Sequence, residues 1–182
     1  MAEGDPLCGR SPQLTRPEGP VAGDPLFTRI DHVGIAVPDL DEAIAFYAGA
    51  FGMTVVHQEV NEDQGVREAM LAVGDSPVRV QLLAPLGPES AIARFLNRSG
   101  PGIQQVAYGV DDVEAVSRVL RQRGLRLLYD TPRRGTAGSL INFIHPKDVG
   151  GVLVEIVQSS PVPRVPQGGH SRTPGRPGVT AQ

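Results

Sequence analysis

The stretch RIDHVGIAVPDL, residues 29–40, recurs in the second half of the chain as GIQQVAYGVDD, residues 102–112. In both copies the side chains alternate with a period of two, which predicts a β-strand, and an aspartate then begins a helix. His32 of the first copy aligns with Gln105 of the second, 73 residues later. The stretch therefore predicts a duplicated fold whose copies differ at one polar position.

Each copy continues in the same order. The first helix is followed by MTVVHQEV, VREAMLAV and VRVQLLA, and the second by LRLLYD, SLINFIH and GVLVEIVQ, all of which are typical of strands. A strand-helix-strand-strand-strand module leaves one sheet face uncovered, so two modules in one chain should pack together. We predict an α+β fold of two tandem βαβββ modules, about residues 28–86 and 102–159, that enclose a cleft about a pseudo-twofold axis.

Both ends of the chain are rich in proline and glycine and lack periodic apolar residues. Such segments bury too little apolar surface to offset the entropy of ordering their backbone. We predict a disordered leader over residues 1–27, one folded unit over 28–159 and a disordered tail over 160–182. The only cysteine, Cys8, lies in the leader and predicts neither a disulfide nor a thiolate metal site.

The bulk composition excludes several classes of partner. A formal net charge of -3 provides no overall field to attract nucleic acid or an anionic membrane. No apolar run is long enough to span a bilayer, and the N-terminus lacks the basic and apolar regions of a signal peptide. We predict a cytoplasmic protein with no nucleic-acid or membrane partner.

Four polar side chains interrupt the apolar strands, and their alternation predicts that all four point away from the helices. Glu155 lies 74 residues after Gln81, much as Gln105 follows His32, so the duplication should bring them together. Imidazole, carboxylate and amide oxygens with open positions favour octahedral cobalt, manganese, nickel or magnesium over tetrahedral zinc. The pattern predicts a metal-binding cleft held by His32, Gln81, Gln105 and Glu155, although each residue alone is more often structural.

Glu68 is a further carboxylate in an apolar strand on the predicted cleft face. An offset of 74 residues pairs it with Asn142, for which we predict the same orientation. A carboxylate in such a place is either paired with a cation or is a base with a raised pKa, and strand alternation directs Arg67 the other way. We predict that Glu68 is a base, and we interpret His57 and His145 as structural.

The segments DHVGIAVPDLDEAIAFY, NEDQGVREAML, VQLLAP, LLYDTPRRG and INFIHPKDVGGVLVEIVQ together resemble the methylmalonyl-CoA epimerase family. This family belongs to the vicinal-oxygen-chelate superfamily, which also contains glyoxalase I. The resemblance covers about residues 29–158 and implies interconversion of the two C2 epimers of methylmalonyl-CoA. It also implies an acyl-CoA substrate, a divalent ion, with cobalt among those favoured, and a homodimer.

By the family's pattern, His32, Gln81 and Glu155 match metal ligands, and Glu68 and Glu155 match the two acid/base glutamates. The departure is the pair Gln104 and Gln105, where the family usually has two histidines, the second being a ligand. An amide oxygen is a weaker donor than imidazole. We therefore expect Gln105 to lower the metal affinity or change the metal preference while the chemistry is retained.

Two other functions remain open at this point. One is another activity on the same scaffold, such as glyoxalase-type isomerisation or extradiol ring cleavage by a dioxygenase. Ring cleavage requires two histidines and a carboxylate on iron, and Gln105 removes the second histidine. The other is a non-enzymatic small-molecule-binding protein, which would need neither Glu68 in the cleft nor a metal, so the metal content of the purified protein distinguishes it.

Overall fold

The computed structural model describes residues 25–160; the predictions for 1–24 and 161–182, including the one for Cys8, lie outside this range. No helix in the range is long and apolar enough to cross a bilayer. The elements are β1 (Arg29–Ala36), α1 (Leu40–Phe51), β2 (Thr54–Asn61), β3 (Val66–Ala72), β4 (Arg79–Pro85), α2 (Ala91–Ser99), β5 (Gly102–Gly109), α3 (Val113–Gln122), β6 (Arg133–Arg134), β7 (Leu140–Ile144) and β8 (Leu153–Gln158).

All eight strands form one mixed sheet in the order β2-β3-β4-β1-β5-β8-β7-β6. β1 and β5 pair antiparallel at the centre, and each has a parallel neighbour, β4 for β1 and β8 for β5. The second half therefore repeats the first in reverse across the centre. This arrangement confirms the predicted α+β fold of two tandem βαβββ modules.

Both predicted helix starts are present. The Asp39 side chain accepts the Glu42 N–H at 2.9 Å, and the Asp112 side chain accepts the Ala115 N–H at 2.8 Å. Each bond satisfies a backbone donor that has no partner within the helix. The apolar stripe expected on α1 is wrong at its last position, because Phe51 is 59% exposed.

The two helices cover the same face of the sheet, each over its own module. α1 buries Leu40 against the first three-stranded group, and α3 buries Val113 and Leu120 against the second. Leu26 and Phe27 pack against the second cluster. The folded unit therefore includes two residues before the predicted boundary at 28.

The segment between the modules forms a helix that we did not predict. The Ser90 side chain caps α2 by accepting the Ala93 N–H at 3.0 Å. Ile92 packs with Val66 and Leu83 on the sheet face opposite α1 and α3. α2 therefore lies on the cleft side of the sheet and forms one wall of the cleft.

The prediction of a strand over LRLLYD is wrong. Only Leu127 makes an isolated bridge, to Ile144, and the outer strand is instead the two-residue β6. The reason is the side-chain amide of Asn142, which accepts the Tyr129 N–H at 3.2 Å and donates to the Tyr129 carbonyl at 2.9 Å. A side chain thus replaces the neighbouring strand as hydrogen-bonding partner of this backbone.

Asp148 anchors the HPKD turn, and its replacement by asparagine tests this anchor. Its carboxylate accepts the Arg126 N–H at 2.9 Å and the Arg126 guanidinium Nε at 3.0 Å. The hydrogen bonds from Arg126 lower the pKa of Asp148 from 3.8 to about 2. A lowered folded-state pKa stabilises the fold above the unfolded value, and this stability is lost as the pH falls from 3.8 towards 2.

We expect Asp148→Asn to have a lower free energy of unfolding than the parent near neutral pH, with the difference disappearing at about pH 2. Urea unfolding of both proteins across this pH range measures the difference. The effect should be modest because the Arg126 side chain is 58% exposed and solvent screens the pair. A difference that does not change with pH would mean that packing, not charge, is lost.

Candidate active site

The four residues predicted as metal ligands meet on the cleft face of the sheet. His32 lies on β1, Gln81 on β4, Gln105 on β5 and Glu155 on β8, which are the four central strands. All four are at most 6% exposed. Buried polar side chains on adjacent strands are costly unless they bind one another or a ligand, so their convergence marks a functional site.

The four side chains are in direct contact with one another. Gln105 Nε2 donates to Glu155 Oε2 at 2.5 Å and lies 3.3 Å from Gln81 Oε1. His32 Nε2 lies 3.2 Å from Glu155 Oε2. The ring predicted from the duplication is therefore present as a connected set, whereas its role in metal binding stays a prediction.

His32 has the arrangement of a metal-binding histidine. Its Nδ1 lies 3.1 Å from Asp31 Oδ1, a carboxylate that can fix the tautomer and the orientation of the ring. Its Nε2 is buried and makes no hydrogen bond within residues 25–160, despite the nearby Glu155 oxygen. Burial lowers the pKa of His32, but the carboxylates of Asp31 and Glu155 outweigh it and raise the pKa to about 9.

The close approach of Gln105 depends on a glycine in the neighbouring strand. Gly34 pairs with Gln105 across β1 and β5. A Cβ atom at Gly34 would lie 2.6 Å from Gln105 Cγ, closer than non-bonded carbons can approach. The absence of a side chain at Gly34 therefore makes room for the residue that departs from the family's usual histidine.

Glu68 lies beside this ring on β3. Its Oε2 accepts the Gln81 amide at 2.7 Å, and its Oε1 accepts the Thr136 hydroxyl at 2.9 Å. Glu68 is 2% exposed, and burial is the main cause that raises its pKa from 4.5 to about 7. Arg67 points away and binds Asp41 at 3.1 Å, as predicted. A carboxylate with a pKa close to neutral can both take up and release a proton at neutral pH.

The predicted symmetry partner of Glu68 is wrong. Asn142 faces α3, where its amide lies 3.4 Å from Ser117 Oγ. The cleft-facing residue of β7 is Phe143, which pairs with Glu155. The offset between the modules is one residue shorter at this strand than at β4 and β8, so the alignment used in the prediction placed Asn142 on the incorrect face.

Three polar residues at the site were not predicted from the sequence. Thr136 lies in a short 3-10 turn between β6 and β7, and Glu59 lies opposite Glu68 on β2. Gln104 is the extra residue of a β-bulge in β5, where Gly34 pairs with Gln105 and Ile35 with Ile103. Its buried Oε1 has no hydrogen-bond partner within the described chain. Only the pair of adjacent glutamines in the sequence gave a signal for Gln104.

A cleft of about 750 Å³ opens next to the ring, large enough for a drug-sized ligand. Gln81, Gln105 and Glu155 line its inner end, and α2 and the turn before it line one side. Within residues 25–160, no group of three or more His, Cys, Asp or Glu side chains is placed to hold a metal ion. This agrees with the ring, because two of its four members are glutamines.

Comparison with known proteins identifies the class to which this fold and site belong. The sequence model of the glyoxalase/bleomycin resistance protein/dioxygenase superfamily matches residues 31–143. The ethylmalonyl-CoA/methylmalonyl-CoA epimerase of Cereibacter sphaeroides is 38% identical over 132 residues, which are 71% of this chain and 97% of that protein.

Two solved structures agree with this relationship. The crystal structure of methylmalonyl-CoA epimerase from Mycobacterium tuberculosis has 57% sequence identity and a TM-score of 0.74, covering 78% of this chain and 94% of that one. A Streptomyces coelicolor methylmalonyl-CoA epimerase variant in complex with 2-nitronate-propionyl-CoA has 48% identity and a TM-score of 0.72, covering 74% and 99%. The chain belongs to the superfamily and, within it, to the methylmalonyl-CoA epimerase family.

Proposed function

We propose that this protein is an epimerase that interconverts (2R)- and (2S)-methylmalonyl-CoA by moving a proton at the α carbon. The observation that carries the proposal is Glu68, a buried carboxylate whose pKa is raised to about 7, held by hydrogen bonds beside the ring of His32, Gln81, Gln105 and Glu155. The substrate assignment is supported by relatives that are methylmalonyl-CoA epimerases, one of them solved with a propionyl-CoA analogue.

The donor set fits a divalent metal ion. His32 Nε2 is buried and unpartnered within the described residues, and its other nitrogen is held by Asp31. Gln81, Gln105 and Glu155 can each present an oxygen to the same place, the two amides by choice of orientation. When bound, such an ion would supply positive charge that stabilises negative charge developing on the substrate. Cobalt is our preferred ion, with manganese, nickel and magnesium as alternatives.

The chain's own residues perform the proton transfers. The C2 proton lies between a thioester and a carboxylate, so a carboxylate base of raised pKa can remove it. Thr136 and Gln81 each hold one oxygen of Glu68, which fixes the carboxylate relative to the cleft. Gln81 and Gln105 separate Glu68 from Glu155, which places the two carboxylates at opposite ends of a hydrogen-bonded row.

In one direction, Glu68 takes the C2 proton and Glu155 returns a proton to the other face of the carbon. In the reverse direction the two glutamates exchange roles. Burial of both side chains excludes water, which would otherwise compete for the proton. An assay that follows conversion of one pure epimer by the purified protein, before and after chelation and cobalt addition, tests the proposal; no conversion under any of these conditions would refute it.

The Gln105→His variant tests whether Gln105 is a ligand. Imidazole is a stronger donor than an amide oxygen, so the variant should bind cobalt more tightly in a calorimetric titration of the metal-free protein. Gln104→His places the same side chain on the neighbouring bulge residue and serves as the matched control. An affinity that does not change in Gln105→His would place Gln105 outside the metal's coordination sphere.

The remaining features of the proposal follow the family resemblance and the sequence. We propose a homodimer, which sedimentation or light scattering of the purified protein can test. A cytoplasmic location and a preference for the methyl over the ethyl substrate also belong to the proposal. Comparison of methylmalonyl-CoA and ethylmalonyl-CoA as substrates tests the preference.

A further inference from the structure

A row of ionisable side chains leads from Glu68 to the surface along β2. Glu59 lies directly opposite Glu68 in the antiparallel pairing of β2 and β3. Directly paired side chains project from the same sheet face and are close neighbours, and these two carboxyl groups are in hydrogen-bonding contact. His57 lies two residues before Glu59, and its Nε2 is 2.6 Å from Glu59 Oε2.

The exposure of these side chains increases along the row. Glu68 is 2% exposed, whereas the side chains of Glu59 and His57 are 28% and 37% exposed. The Ala137 N–H lies 3.3 Å from Glu59 Oε2, which fixes Glu59 against the turn that carries Thr136. The row therefore connects the buried base to solvent through groups that are held in place.

Glu59 is ionised and can accept a proton. Partial burial raises its pKa, but the hydrogen bonds from His57 and from the Ala137 N–H outweigh this effect and leave the pKa below its ordinary value. The imidazole of His57 can in turn accept and release a proton near neutral pH. Both residues thus have the chemistry of proton carriers, in addition to the placement.

A two-base epimerase needs such a route. Under the proposed function, Glu68 and Glu155 have exchanged protonation states at the end of each turnover. Before the same epimer can react again, Glu68 must lose the proton that it gained. A carboxyl group that is 2% exposed exchanges that proton with bulk water only through intervening groups.

We propose that Glu59 and His57 carry protons between Glu68 and solvent and so restore the base between turnovers. The carboxylic acid of Glu68 gives its proton to the Glu59 carboxylate, Glu59 gives a proton to His57 Nε2, and the imidazolium releases a proton to water. The reverse sequence reloads Glu68, and water is the only other reactant. The inference rests on the proposed function and replaces the structural interpretation of His57.

The test compares Glu59→Gln and His57→Gln with the unaltered metal-loaded protein. At saturating methylmalonyl-CoA and low buffer concentration, each variant should lower kcat by about 10-fold or more, because proton return becomes rate-limiting. Added imidazole, a small proton carrier, should restore the rate. With enzyme in excess over substrate, the first turnover should be unchanged, because restoring the base follows the chemistry.

Glu114→Gln, an exposed carboxylate on α3, is the matched control and should behave as the unaltered protein in every assay. His57→Gln guards against a folding defect, since His57 is partly exposed, and thermal unfolding checks both variants. An unchanged kcat in both variants overturns the inference. So does a loss that imidazole does not restore and that also appears in the first turnover, because it would mean that the two residues only orient Glu68. An inactive unaltered protein would instead refute the proposed function and the inference with it.

Discussion

Glu68→Gln should lower kcat for epimerisation by about 10²- to 10⁴-fold, the usual cost of losing a positioned acid/base group. This corresponds to a barrier increase of about 3 to 5 kcal/mol. The amide has the same shape as the carboxyl group but cannot take up the C2 proton. Rates of conversion of each pure epimer, measured at saturating substrate, give the effect in both directions.

The fold should tolerate this change. A glutamine can accept from Gln81 and donate to Thr136, so the neighbours of Glu68 keep hydrogen-bond partners. Thermal unfolding and cobalt titration of the variant should therefore match those of the parent. Glu114→Gln provides the same chemical change at an exposed site. A Glu68→Gln protein that retained the full rate would remove Glu68 from the mechanism.

Glu155→Gln should have the larger effect because Glu155 has two proposed duties. Its carboxylate is the second acid/base group, and its Oε2 lies 3.2 Å from His32 Nε2 and 2.5 Å from Gln105 Nε2 within the proposed metal site. We expect a loss of at least the same 10²- to 10⁴-fold in kcat together with weaker cobalt binding. Kinetics and calorimetric titration of one preparation measure both.

The pattern of the two variants separates the two duties. Glu68→Gln should lose activity and keep its metal affinity, whereas Glu155→Gln should lose both. Excess cobalt should raise the occupancy of the Glu155→Gln site without restoring the parent rate. Full restoration by excess metal would mean that Glu155 acts only as a ligand, and unchanged metal affinity would exclude it from the proposed site.

The convergence of the ring could be predicted from the sequence because two regular signals agree. Strand alternation places His32 and Gln81 on the face opposite the helix, and the duplication does the same for Gln105 and Glu155. Both signals depend only on backbone periodicity, which the packing of α1 and α3 preserves. For the same reason, Arg67 could be assigned to the opposite face from its neighbour.

The errors arise where periodicity is interrupted. The offset between the modules shortens by one residue at β7, and since side chains alternate with a period of two, one residue moved Asn142 to the other face. The Asn142 side chain then binds Tyr129 in place of a strand, so LRLLYD remains mostly unpaired. Pattern reasoning contains no term for such a side-chain contact.

Thr136 was beyond reach for a related reason. It belongs to a turn whose next residue, Ala137, has a positive φ of 53°, and no repeating pattern marks such a turn. Its contact with Glu68 joins residues 68 positions apart in the chain. Contacts of this kind depend on the three-dimensional packing of the loop and not on any local sequence signal.

The measurement that tests the account most directly is exchange of the C2 proton of methylmalonyl-CoA in deuterium oxide, followed by proton NMR. It should be made on the purified protein as isolated, after chelation and after addition of cobalt. The account predicts exchange that accompanies epimerisation, that stops on chelation, that returns with cobalt and that is largely lost in Glu68→Gln. No exchange with any of the four candidate metals would contradict the epimerase assignment.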